Sequence, residues 1–335
     1  MTNKSHLDIL AQGIEIWNTW RVQHPDVQPQ LSGVDLSDMD LATANLSEAN
    51  LSGAALFEAN LREANLKAAV IAEADLSGAD LSGAELYKAD LANAYLTGAN
   101  LTETFLAEAE LSGADLRGAR FRQADLTETN LVAADLRDAD LTGANLSKAL
   151  IADAILCNAK LTSANLTDLE YGPFHTMRGH YYGIRGLDSC YGNALFIRDA
   201  RDQDYLDTLE RNIEKTPSRT HRRLRRFLFR AWAWIDYGRS LGKPFFYSFV
   251  IAMIFGIVFF LERSLNWGLM DYSSSSNSLI SPFYYSIVTY TTLGFGDITP
   301  RHWIGEIIVT AEVVLGYTTL GLLLAILANR VARRS

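Results

Sequence analysis

The stretch Ala44-Asn45-Leu46-Ser47-Glu48-Ala49-Asn50-Leu51-Ser52-Gly53-Ala54 repeats every five residues, and the period holds from Leu31 to Leu166 without a slip of register. Leu36, Leu41, Leu46 and Leu51 continue to Leu161 and Leu166, and only Ile71, Phe121 and Ile151 change the residue type. Ala precedes most of these by two positions, and the residue between is mostly Asp or Asn. A period of five matches neither a helix nor a strand, but it matches one side of a square coil. In such a coil Leu stacks inward, Ala takes the cramped second inward place, and Asp or Asn favours the turn at each corner. The 28 pentads would make about seven coils, roughly 34 Å tall at the spacing of stacked β-chains.

This pattern resembles the pentapeptide-repeat proteins, which implies a right-handed quadrilateral β-helix over residues 31–170. A solenoid of this kind exposes apolar cross-sections at its ends and needs caps. Residues 1–30 are expected to supply the first, as one amphipathic helix from Leu7 to Val22 that stops before Pro25. Residues 171–215 are expected to form the second cap and a linker, with mixed strand and loop over Gly179–Ile197 and a short polar helix over Asp202–Lys215.

The second half changes character. The formal net charge of -9 conceals an acidic repeat region, -14 over residues 31–170, and a remainder of +5. Arg219, Arg222, Arg223, Arg225, Arg226 and Arg230 run into Phe227, Phe229, Trp232 and Trp234, so residues 216–243 read as a basic amphipathic helix lying on a membrane surface. Phe245–Leu261 is free of charge, and a second apolar run extends from Trp303 to Ala328. Each is long enough to span a bilayer. Their basic flanks, Lys243 on one and Arg330, Arg333 and Arg334 on the other, place both termini in the cytoplasm of a multi-pass cell (inner) membrane protein. No signal peptide is evident at Met1-Thr2-Asn3-Lys4.

Between the spans stands Thr292-Leu293-Gly294-Phe295-Gly296-Asp297, preceded by Ser281-Pro282-Phe283-Tyr284-Tyr285-Ser286-Ile287-Val288-Thr289-Tyr290-Thr291. Gly294 and Gly296 can adopt left-handed dihedrals without steric penalty, which lets successive carbonyls aim at one axis. Ser281 and Pro282 suit a helix start, a capping hydroxyl before a residue preset for the first turn. The helix would run to about Thr291 and reach only partway through the bilayer.

Residues 244–335 resemble the pore domain of two-transmembrane potassium channels. The resemblance implies an α-helical membrane pore domain of two spans, a pore helix and a selectivity filter, working as a homotetramer in the lipid bilayer. It also implies that Thr292, Leu293, Gly294 and Phe295 coordinate potassium, with Gly296 closing the outer ring. Asp297, Tyr284, Tyr285 and Thr291 would support the filter. Phe295 replaces the family's usual tyrosine, and Val288 stands where some members have an acidic residue, which leaves Asp297 to pair with Tyr284. Gly316 falls where the family has an inner-helix hinge, and Gly321 follows; close helix packing is the alternative for both. Tyr317, Leu320 and Leu324 share one helix face and suit a cavity lining or a dewetting gate.

Glu312 is a carboxylate near mid-membrane, which costs about 2.5–3.5 kcal/mol unless it finds a partner, a proton or water. A hydrogen bond to Thr289 or Ser248, or a protonated structural carboxyl, would resolve it. Cys157 and Cys190 are the only cysteines, outside any metal-ligand pattern, and are expected to stay reduced. No constellation suggests catalysis, and no cofactor is expected beyond the ions in the filter. Two alternatives remain: a non-selective cation channel, or a membrane-anchored scaffold whose acidic β-helix imitates DNA. Nucleic acid itself is not an expected partner, whereas an unidentified cytoplasmic regulator of the β-helix fits.

Overall fold

Twenty residues separate each bridged pair along the repeats: Asp35 with Ala55, Asn60 with Asp80 and Asp115 with Asp135, all parallel. The computed structural model of the chain describes residues 3–172, 180–234, 242–272, 278–291 and 298–332. The chain divides after Lys215 into two units.

A separation of twenty means four pentads per coil, so the first unit is a four-sided β-helix. Each rung is held from both sides; Leu36 N–H donates to Ala55 O at 2.7 Å, and Ala55 N–H donates to Val34 O at 2.9 Å. Leu and Ala are the inward residues and are almost wholly buried along the rod. At two Ala positions stand Thr104 and Thr129, both buried. Their hydroxyls donate to Leu101 O at 2.7 Å and Leu106 O at 2.9 Å, which offsets the burial of a polar group.

The corners differ from the expectation for Asp and Asn. Each turn occupies the two residues after the Leu, as in Ser52-Gly53, closed by Ala54 N–H donating to Leu51 O at 3.0 Å. The second turn residue is left-handed in every pentad, as type II turns require. Glycine fills it at Gly53 (φ 63°), but Glu58 (φ 53°), Lys88 (φ 58°) and Asn93 (φ 55°) adopt it too. These side chains leave the coil at its edge, and each of the three N–H groups joins the ladder, as Glu58 does to Ser77 O at 3.0 Å. The Asp or Asn directly before each Leu sits instead on the flat side, at the bridged position. From there the side-chain oxygen reaches forward to the turn: Ser37 N–H donates to Asp35 Oδ1 at 3.0 Å, and Ser82 N–H to Asp80 Oδ1 at 3.0 Å. Amides also stack between coils, Asn100 Nδ2 donating to Asp80 Oδ1 at 2.9 Å.

Two helices close the lower end, α1 (Asn3–Leu10) and α2 (Ile14–Gln23), rather than the one expected. The break is at Gly13, whose φ of 113° is open to glycine. The first coil has no coil beneath it, so its edge groups need other partners. The second helix supplies them. Trp17 Nε1 donates to Asn45 O at 2.9 Å, Asn18 Oδ1 accepts from Asn45 N–H at 2.8 Å, and Arg21 donates to Ser47 O at 2.9 Å.

At the upper end the coil outlasts the period. Lys160 bridges Arg185 and Asn165 bridges Tyr191, at separations longer than twenty, so the last coil carries more residues than the four pentads of those below it. Next comes α3 (Ala194–Glu214), longer than the polar helix expected. Asn193 caps it by accepting from Phe196 N–H at 3.0 Å, while its amide donates to Leu169 O at 3.0 Å. The first turns of this helix are the cap: Phe196 and Ala200 are buried against the top coil, and Tyr171 and Tyr181 meet the Phe196 ring edge-on. Burial raises the pKa values of the Cys157 and Cys190 thiols.

The second unit contains α4 (Arg219–Trp234), α5 (Gly242–Leu265), β1 (Met270–Asp271), α6 (Ser281–Tyr290), β2 (Thr299–Pro300) and α7 (Trp303–Ala332). Along α4, Leu224, Phe227 and Leu228 are exposed among the arginines. Both α5 and α7 are long and apolar enough to cross a membrane, and most of each is exposed in the protomer. That exposure distinguishes them from the buried core helices of a water-soluble fold.

Candidate pore

Ten residues of α6 span about 15 Å, half of a hydrocarbon core near 30 Å. Pro282 lies in its first turn, but the N-cap is Ile280 without a side-chain cap, so the Ser281 hydroxyl does not have the capping role expected. The helix packs between the two spans at close quarters. On one side a Cβ at Gly256 would stand 2.6 Å from the Phe283 ring and 3.2 Å from its backbone. On the other, a Cβ at Gly316 would run into the Tyr290 carbonyl, with the carbonyl carbon only 2.9 Å away. Glycine at both places lets α5 and α7 approach the short helix. Tyr290 Oη and Thr319 Oγ1 share a hydrogen bond of 2.9 Å that fixes the last turn of α6 to α7.

Behind this helix is a buried polar link. Ser286 Oγ donates to Ala252 O on α5 at 2.6 Å and is also hydrogen-bonded to Glu312 Oε1 on α7. Ser286 and Glu312 are both 0% exposed. The partner of Glu312 is therefore Ser286 rather than Thr289 or Ser248; the Ser248 hydroxyl returns to Pro244 O at 2.8 Å within its own helix.

The end where α5 leads towards the short helix is organised by a second acid. Glu262 Oε1 accepts from Leu269 N–H at 2.8 Å and Met270 N–H at 3.1 Å, which orients β1. The strand pairs antiparallel with β2, Met270 opposite Pro300, and Arg301 meets Asp271 at 2.9 Å. Tyr272 donates to Phe259 O at 3.0 Å. Burial first, then the Glu262 carboxylate, holds the Tyr272 phenol well above its ordinary value, so it stays a donor. The segment before the pore helix and the segment leading into the second span are thus tied together. Phe259, Met270 and Ile298 form the apolar floor beneath this pairing, with Tyr285 against Phe259 at 5.2 Å.

Of the residues singled out in the sequence, Thr292, Leu293, Gly294, Phe295, Gly296 and Asp297 lie outside the described residues. Thr291 turns its hydroxyl back to Ile287 O at 2.8 Å, finishing its own helix. Tyr284 is exposed, while Tyr285 belongs to the apolar floor. Tyr317, Leu320 and Leu324 are exposed in the protomer, and a Cβ at Gly321 would meet nothing within 4 Å. The sequence reading missed Ser286, Gly256 and Glu262. Glu262 was legible only as the polar boundary of a span, and Ser286 carried no signal except the need of Glu312 for a hydroxyl.

Two family models match the chain. Residues 247–333 match an ion channel family, and residues 30–62, 59–98, 89–128 and 129–168 match pentapeptide repeats. The fold and these matches define a membrane channel domain joined to a β-helix: the chain carries an ion channel domain C-terminal to a pentapeptide-repeat domain. Among solved structures it is similar to HetL, a pentapeptide repeat protein involved in heterocyst differentiation regulation from the cyanobacterium Nostoc sp. strain PCC 7120. The identity is 26%, over 52% of this chain and 95% of that one, with a TM-score of 0.28. A second pentapeptide repeat protein from Nostoc is 32% identical over 32% of this chain and 83% of its own, with a TM-score of 0.26. Another, from the cyanobacterium Cyanothece, is 24% identical over 46% of this chain and 99% of its own, with a TM-score of 0.28. No curated protein matches the chain.

Proposed function

We propose that the protein is a potassium-selective channel working as a homotetramer, with one Thr292-Leu293-Gly294-Phe295-Gly296 filter strand from each subunit. The observation that carries this reading is the half-length helix α6, clasped between two spans and ending at Tyr290, two residues before Thr292. Its carbonyl end carries the negative pole of the helix dipole, which favours a cation. Four strands of backbone carbonyls then replace the ion's water shell. The exposed apolar faces of α5 and α7, including Tyr317, Leu320 and Leu324, suit contact with lipid, with partner subunits and with a central cavity. Basic residues flank both spans on the side away from the filter, so both termini face the cytoplasm and the protein resides in the cell (inner) membrane.

The β-helix has an assembly or regulatory role in this reading, open to a cytoplasmic partner. DNA imitation is not favoured, because basic side chains interrupt the acidic faces. Arg117 pairs with Asp115 at 2.6 Å, Arg122 with Asp140 at 2.7 Å, and Lys148 with Glu128 at 2.8 Å.

Flux of rubidium against sodium from liposomes holding the purified full-length protein tests the function. Rubidium uptake without sodium uptake is expected, and Gly296→Asp is expected to abolish the discrimination. Equal sodium permeation would refute selectivity, and absence of any flux would refute the channel.

A further inference from the structure

Resting on the channel reading above, we propose that Glu312 is a positioning residue for the pore, a neutral carboxylic acid that donates to Ser286 Oγ while Ser286 donates to the Ala252 carbonyl. Ser286 Oγ stands within hydrogen-bond reach of two oxygens, Ala252 O at 2.6 Å and Glu312 Oε1. A serine hydroxyl has one hydrogen. The Ala252 carbonyl has none to give, so the hydrogen of the other bond comes from the Glu312 carboxyl.

The surroundings agree. An ionised carboxylate seeks several donors, yet Glu312 Oε2 has no hydrogen-bond partner among the described residues. Nor is a counter-charge near among the described residues. On α5 the charged groups are Lys243, Glu262 and Arg263; the two bases lie nine and eleven residues from Ala252, about 14 and 16 Å along the axis. The pore helix carries no charge; its Tyr285 lies against Phe259, and its Tyr290 phenol is bonded to Thr319. On α7 the nearest charge is Glu306, which is exposed and of the same sign. Burial of the acid is complete within one protomer, so it does not depend on assembly.

The link joins α5, α6 and α7 at one level in the middle of the short helix. Rotation of α6 about its axis would break one bond or the other, and with it the aim of the chain entering the filter. Glu312→Gln keeps a donor, since its amide can give a hydrogen to Ser286, and should retain the wild-type rubidium-to-sodium ratio. Glu312→Val and Ser286→Ala should each lower that ratio by about tenfold, the size of one buried hydrogen bond. The double variant should be no worse than Ser286→Ala alone, because that change already removes both bonds of the link.

The deciding measurement does not need ion flow. Infrared difference spectra of the wild-type full-length protein against Glu312→Gln, at neutral pH, should show one protonated-carboxyl stretch lost in the variant and shifted in Ser286→Ala. No such band in the wild type would overturn the proposal, whatever the flux results. Glu312→Gln as damaging as Glu312→Val, or Ser286→Ala silent in both assays, would overturn it as well. Failure of the channel reading would leave the band in place and remove only the flux differences.

Discussion

Adding a single methyl group at Gly316 tests how closely α7 sits on the pore helix. An alanine Cβ there would meet the Tyr290 carbonyl, 2.9 Å from its carbon and 3.2 Å from its Cα. The contacts, to the carbonyl oxygen, its carbon and the Cα, are all to backbone, so no side-chain rotation relieves them. Either α7 moves outward or the last turn of α6 shifts, and the Tyr290–Thr319 hydrogen bond is lost with the movement. Overpacking of this kind costs about 1–3 kcal/mol, and the bond adds about 1 kcal/mol. Gly321→Ala on the same helix meets nothing within 4 Å in the protomer and provides the comparison. Full-length variants in detergent would be heated, and the fraction remaining monodisperse by size exclusion compared with rubidium flux in liposomes. Gly316→Ala should lose thermal resistance and ion discrimination together, since Tyr290 leads into Thr292 through one residue. Wild-type melting and wild-type flux in Gly316→Ala would refute the reasoning.

Other outcomes follow from the same structure. Gly256→Ala should destabilise the pore unit through the Phe283 ring, and Phe283→Leu added to it should recover much of the loss, measured by the same heating assay. In the rod, Leu101→Ala should cost about 2–5 kcal/mol in denaturant unfolding, because Leu101 is 0% exposed; Lys148→Ala, which breaks one exposed ion pair, should cost less than about 1 kcal/mol. Arg117 beside Asp115, and the Ser37 hydroxyl and amide beside Asp35, hold these carboxyls below their ordinary values. The folded state thus binds fewer protons than the unfolded one in that range, and stability present above about pH 4 is lost as pH falls further. Melting by circular dichroism from pH 7 to 3 should show this drop, and Asp115→Asn should flatten it. Burial raises both thiols, so Cys157 and Cys190 should alkylate slowly at pH 8 until denaturant is added, as followed by mass spectrometry.

Most of the architecture was legible because its signals are local and repeated. A Leu every five residues specifies a stacked core whatever the flanking residue, so the β-helix and its extent could be read from Leu31 to Leu166. The apolar runs and the Pro282 punctuation likewise marked α5, α6 and α7. Errors arose where one position has two plausible roles. Asp and Asn favour turns in general, but here the turn takes the two residues after Leu and the acid braces it from the flat side. The single helix expected at the N-terminus breaks at Gly13, and the helix after the rod begins earlier because Phe196 finishes the core.

What the chain determined by itself was periodicity: a five-residue coil in one half, and two apolar spans around a short helix and a Gly-x-Gly strand in the other. What only the tertiary structure decided was who touches whom. The partner of Glu312 depends on the rotational phase of three helices, and a shift of one residue turns a side chain by about 100°. No local pattern encodes that angle, so Ser286, Gly256 and the Glu262 brace emerged only when the helices were packed against one another.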